Sequence, residues 1–175
     1  MRLFIAINLS NTTKDSLIDL RDELKSSSEY GNFSLRENLH VTLAFLDECD
    51  TKQAAAAKAA MDSVSFSPFD IRIDRIGRFG GGQDEATWWA GVYVGAALSA
   101  LNRDLAENLS AAGFSLDRRK FSPHITLGRR VVTGAAPRRI EPFGEVVKKI
   151  DLMKSERLSG RLTYTAIYQK HGEIL

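Results

Sequence analysis

The sequence predicts an α+β protein of two similar lobes, each an antiparallel sheet with helices, facing each other across a groove. Three observations carry that expectation. Short β-branched or alternating segments outnumber helical ones. Two strand segments are near copies, Asn38-Leu39-His40-Val41-Thr42-Leu43 and Ser122-Pro123-His124-Ile125-Thr126-Leu127, one in each half of the chain. Finally, 175 residues, 43% hydrophobic and 26% charged, fit a single domain over 1–175 with its own core.

The elements follow in order. Leu3 to Leu9, rich in β-branched and aromatic residues, reads as a strand. Asn11-Thr12-Thr13 offers an N-cap signal for a helix from about Lys14 to Lys25, with Leu17, Leu20 and Leu24 on one face and Ser26-Ser27-Ser28 ending it. A strand runs from His40 to Leu46, and the alanine-rich Lys52 to Met61 is helical. Phe69 to Ile76 alternates apolar and charged residues, as a half-buried strand does. Gly77 to Glu85, containing Gly80-Gly81-Gly82, reads as a rim loop. It lacks the Gly-Lys-Ser/Thr continuation of a P-loop.

Trp88 to Val94 is a strand with its two tryptophans on opposite faces, and Ala96 to Ala112 a helix closed by Gly113. Phe121 to Arg129 carries the second motif, with Pro123 at the strand start, where a missing N–H is tolerated. A loop from Thr133 to Phe143 precedes two last strands, Glu145 to Leu152 and Arg161 to Tyr168.

Charge excludes a polycationic nucleic-acid coat: 24 basic and 22 acidic residues leave a net charge of +2. The basic residues cluster, however, at Arg118-Arg119-Lys120, Arg129-Arg130 and Arg138-Arg139 around the second motif. Cys49 is the one cysteine, so no internal disulfide forms and a reducing, cytoplasmic setting is expected. The apolar opening Met1 to Ile7 is too short for a secretory signal. No apolar run approaches a membrane span, and no membrane role is expected.

In a strand, residues i and i+2 share a face, so each motif presents one imidazole and one hydroxyl side by side while Val41/Leu43 or Ile125/Leu127 face the core. Two such strands brought together give two proton-transfer groups flanking two hydroxyls, suited to acid–base chemistry on a phosphate ester. Zinc is the rival use of histidine. With three histidines in the chain, none beside the pair, and no carboxylate at ligand spacing in either motif, no metal site is expected. Phe4, Phe79 and His171 read as two core residues and a surface residue, respectively.

These residues resemble the 2H phosphoesterase superfamily, marked by two His-x-(Thr/Ser)-x motifs. Within it the chain looks like the LigT-like RNA 2′,3′-cyclic phosphodiesterases, also called 2′-5′ RNA ligases. The likeness takes in Met1 to Ile7, Glu37 to Leu46, Phe121 to Arg129, Leu152 to Glu156 and Tyr164-Thr165. It implies a bilobal fold with pseudo-twofold symmetry, no metal or other cofactor, and RNA ends bearing 2′,3′-cyclic phosphate, as on tRNA-like fragments, as substrates of a cytoplasmic, monomeric RNA-processing enzyme.

The resemblance implies His40 as proton donor to the leaving 3′-oxygen and His124 as proton acceptor from water, giving a 2′-phosphate. The motifs are symmetric and do not themselves separate acid from base. Thr42 and Thr126 would bind the non-bridging oxygens, and the family's spacing points Arg129 at the phosphate. Two imidazoles with ordinary pKa values of about 6–7 supply both protonation states at neutral pH, for a contribution of about 10²–10⁴-fold. Reversal, with a 5′-hydroxyl replacing water, is 2′-5′ ligation; hydrolysis ranks first because water is in excess. The alternatives are a phosphodiesterase for 2′-5′ oligoadenylates or small cyclic nucleotides, and a non-catalytic RNA-binding module.

Overall fold

The computed structural model describes residues 1–80 and 85–174, and among these it forms nine strands and three α-helices. In chain order they are β1 (Arg2–Asn8), α1 (Asn11–Ser26), β2 (Ser28–Phe33), β3 (His40–Glu48), α2 (Thr51–Asp62), β4 (Phe69–Phe79), β5 (Ala86–Val92), α3 (Ala96–Ala111), β6 (His124–Thr133), β7 (Arg138–Val147), β8 (Lys149–Leu158) and β9 (Arg161–His171). One sheet has the order β3-β1-β8-β9 and the other β2-β6-β5-β4-β7, with antiparallel pairing throughout. Leaving out the edge strand β2, the two orders correspond position for position, β3 to β6 and β1 to β5. Each His motif therefore has the same place in its own sheet.

The lobes do not coincide with the two halves of the chain. Helix α1 follows β1 of the first sheet, yet it packs on β2, β6 and β7 of the second, where Arg138 pairs with Glu23 at 3.0 Å. Helix α3 links β5 to β6 but reaches the first sheet and α2. There Asn102 donates to the Leu43 carbonyl at 3.3 Å and Asn108 to that of Ala60 at 3.4 Å. Its stripe Leu98, Leu101, Leu105 and Leu109 is buried, each leucine contributing about 1.5–3 kcal/mol of transfer free energy. Lys148 alone separates β7 from β8, which lie in different sheets.

Strand β1 is buried on both faces. Leu3, Ile5 and Ile7 join the main core, while Phe4 and Ala6 pack with Met153 and Tyr164 under the groove. This two-sided burial is why its sequence reads as a continuous apolar run.

Several expected boundaries move. The helix begins at Asn11, with Ser10 as N-cap accepting from the Thr13 N–H at 3.3 Å, and Thr13 is buried inside its first turn. Strand β2 has no counterpart among the expected elements, because Ser-Glu-Tyr-Gly-Asn-Phe at a half-exposed edge shows no apolar alternation. Strand β4 continues through Gly77 to Phe79, so the rim loop starts later than expected, and Gly81-Gly82 fall outside the described residues. The second motif strand begins at His124 and runs on to Thr133. The expected loop at 133–143 is mostly β7, an edge strand that accommodates Pro142. The expected strand Glu145 to Leu152 is two strand ends joined at Lys148; the β-branched residues on either side, Val146-Val147 and Ile150, read as one extended segment and hide the break.

Candidate active site

A cavity of about 960 Å³ lies between the sheets, lined by His40 and Thr42 from β3 and by His124, Thr126 and Arg129 from β6. All five residues expected from the sequence thus meet in one groove. Both motifs contain the same irregularity. In the β1–β3 ladder Ile5 pairs with Ala44 and Ala6 with Thr42, passing over Leu43; in the β5–β6 ladder Trp88 pairs with Gly128 and Trp89 with Thr126, passing over Leu127. An extra residue at this point shifts the alternation by one. The groove face is then regained five residues after each histidine, at Phe45 and Arg129, both of which line the cavity. Strict alternation would have put Gly128, not Arg129, beside Thr126. Arg130, at φ +54°, instead forms an ion pair with Glu85 at 3.0 Å.

Backbone carbonyls two residues upstream orient both imidazoles. Nδ1 of His40 is 2.7 Å from the Asn38 carbonyl, and Nδ1 of His124 is 2.7 Å from that of Ser122. A carbonyl only accepts, so each Nδ1 donates, and Nε2 is the atom left for chemistry. His40 forms a triangle of rings with Phe4, at 5.0 Å, and Tyr164, edge-on at 5.2 Å; Phe4 and Tyr164 also meet at 5.0 Å. Phe79 meets the His124 ring edge-on at 4.9 Å, with Trp89 at 6.2 Å.

The electrostatics depart from the expected pair of ordinary imidazoles. Burial, outweighing the Asn38 hydrogen bond, pushes His40 down to about 4, with Arg129 and His124 adding in the same direction. His124 is also lowered, by burial first and then by Arg129. Desolvation penalises the charged ring in each case. Both rings therefore favour the neutral form at pH 7, and Thr42 donates its hydroxyl to Nε2 of His40 at 2.9 Å.

Phe4 is core, as expected. Phe79, expected in the core, stands 43% exposed at the cavity wall, because β4 extends further than the sequence indicated. Phe45, at 66% exposed, Arg2 and Tyr164 also line the cavity and were not read as site residues. The signal for Phe45 was its place five after His40, matching Arg129 after His124. Arg118, Arg119 and Lys120 lie exposed outside the lining, with Arg119 bound to Asp117 at 2.6 Å, and His171 is on the surface. Among the described residues no group of three histidine, cysteine or acidic side chains is placed to hold a metal ion.

A sequence profile of the 2′-5′ RNA ligase superfamily matches residues 13–167. The chain belongs to that superfamily. Its relatives include a protein of Geobacillus stearothermophilus named RNA 2′,3′-cyclic phosphodiesterase, 35% identical over 136 residues, a match covering 73% of this chain and 41% of that protein. The chain thus spans less than half the length of that relative. A protein of the same name from Archaeoglobus fulgidus is 31% identical over 129 residues, covering 74% of this chain and 72% of the relative. The same fold is found in the crystal structure of Escherichia coli LigT complexed with 3′-AMP. That structure superposes with a TM-score of 0.83 at 24% identity, over 98% of this chain and 97% of LigT.

Proposed function

We propose that this chain is an RNA 2′,3′-cyclic phosphodiesterase that opens the cyclic phosphate by two-histidine acid–base catalysis without a metal, acting on RNA ends such as those of tRNA fragments. The observation that carries this reading is the matched placement of two imidazoles, each fixed through Nδ1 to a carbonyl and lining one groove with two threonines and an arginine. The names of the relatives point the same way.

In this reading His124 takes a proton from water as the water oxygen bonds to phosphorus. The bond from phosphorus to the 3′-oxygen breaks, and His40 donates its proton to that oxygen, leaving a 2′-phosphate. Thr42, Thr126 and Arg129 bind the non-bridging oxygens, where charge builds up in the transition state. His40 enters neutral, so the donor role requires it to take up a proton as the substrate anion arrives and offsets the cost of burial. The same groove run backwards, with a 5′-hydroxyl as nucleophile, is the 2′-5′ ligation that gives the superfamily its name. The two lobes act as one catalytic domain, monomeric and cytoplasmic. Among the described residues no helix is long and apolar enough to cross a membrane.

The deciding experiment incubates the protein with excess EDTA and an oligoribonucleotide ending in 2′,3′-cyclic phosphate. Conversion to a 2′-phosphate, lost in both His40→Ala and His124→Ala, is the expected result. An end left unchanged by the unmodified protein rejects the assignment.

A further inference from the structure

The cavity extends well beyond the two histidines, along the far ends of β1, β8 and β9. There Arg2 pairs with Ser155, and Ser155 with Tyr164, so the three form one row across the first sheet, and all three line the cavity. Among the described residues neither Arg2 nor Arg129 has a carboxylate within ion-pair distance. The Tyr164 hydroxyl has no hydrogen-bond partner among them; burial raises its pKa, and Arg129 and Arg2 oppose that rise. Carboxylates at this end carry their own cations: Glu48 is held by the Met1 amine at 3.4 Å and Glu156 by Lys154 at 3.5 Å. Asp47, also in the lining, is the exception.

The scissile phosphate needs Arg129 and the threonines, and uses none of Arg2, Ser155 or the Tyr164 hydroxyl. An unpaired guanidinium with two hydroxyl groups in a groove is a site for a second phosphate. Arg2 lies four residues along β1 from Ala6, the partner of Thr42, roughly 13 Å at about 3.3 Å per residue. Its long side chain can close much of that gap toward the histidines.

We infer that Arg2, Ser155 and Tyr164 form a second phosphate subsite, which takes the 5′-phosphate of the terminal nucleotide and so selects polynucleotide ends over isolated cyclic mononucleotides. The inference rests on the proposed function for its meaning, but not for its test. Binding of adenosine 3′,5′-bisphosphate and of 3′-AMP is measured by calorimetry, alongside turnover of a 2′,3′-cyclic dinucleotide end and of 2′,3′-cyclic AMP. The unmodified protein is expected to prefer the bisphosphate by roughly tenfold or more, the scale of one charged hydrogen-bonded contact. Arg2→Gln should collapse that ratio, Arg2→Lys should keep part of it, and Tyr164→Phe, whose ring still packs on His40, should reduce it. Lys120→Gln, which removes a cation outside the groove, should leave it unchanged. Equal affinities in the unmodified protein, or an Arg2→Gln ratio equal to the unmodified one, overturn the subsite. Absence of turnover on both cyclic substrates would instead reject the proposed function, while the binding ratio still decides the subsite.

Discussion

The Thr42 hydroxyl lies 2.9 Å from Nε2 of His40, whereas Thr126 makes no such bond to His124. Two motifs alike in sequence, register and bulge therefore differ in state. The deeper imidazole is neutral and occupied by its own threonine. In the proposed mechanism a phosphate entering the groove takes the hydroxyl from Nε2, and in doing so frees the nitrogen that has to become protonated.

Thr42→Val should lower kcat/KM by about 10²–10³-fold, the usual loss on removing one oxyanion donor, while Thr42→Ser retains most activity. The Thr126→Val loss should fall within the same range. Steady-state kinetics on a cyclic-phosphate end, with thermal unfolding to verify the fold, checks both.

The pH optimum should depend on which rate constant is plotted. kcat/KM reports the free protein, where His40 sits at about 4 and His124 lies below its ordinary value, so its maximum should fall below pH 6.5. kcat reports the complex, where the phosphate anion favours both imidazolium ions, so its maximum should lie at higher pH. NMR titration of the imidazoles with and without inorganic phosphate should show the His40 pKa rising by about 1–3 units on binding. Coincident profiles and an unmoved titration would contradict the role given to burial.

Stability should fall on acidification through the same residue. The folded pKa of His40 is about 4, against about 6.5 unfolded, so between these values the unfolded chain binds more protons. Stability therefore rises with pH across that window and is lost as pH drops from 6.5 towards 4; His124 acts with the same sign. Urea midpoints at pH 7 and pH 4.5 should differ less in His40→Gln than in the unmodified protein.

Arg129→Ala should reduce kcat by about 10²-fold or more, with Arg129→Lys recovering only part, because a point charge does not reproduce a planar fork of donors. Arg130→Ala, which removes only the outward pair with Glu85, should leave kcat within about twofold, as expected where an exposed ion pair contributes about 0–1 kcal/mol. Equal losses in the two variants would refute the bulge-based placement.

Gly144→Ala should destabilise the protein by roughly 3 kcal/mol or more. A Cβ there runs into the Ile71 carbonyl, a backbone atom of β4 that cannot rotate away. Chemical denaturation would measure it, and a loss below about 1 kcal/mol would show that the two strands separate easily.

The local pieces and the candidate site residues are legible in single segments of the chain. Burial alternation in His40-Val41-Thr42-Leu43 and His124-Ile125-Thr126-Leu127 put both hydroxyls beside their imidazoles, the leucine stripe of α3 marked its buried face, and alternation put Trp88 and Trp89 on opposite faces of β5. These follow from the fixed periods of strand and helix, which a single segment displays. Tertiary structure alone decided the rest. The split at Lys148, the pairing of polar β2 and the packing of α1 on β6 and β7 depend on partners distant in sequence. So do the depressed ionisation of His40, which comes from the protein closed around it, and the passage of Arg129 to the groove face, which comes from a residue left out of a ladder with β5. Residue type fixed which groups can move a proton or bind a phosphate; the surrounding chain fixed how readily each one does.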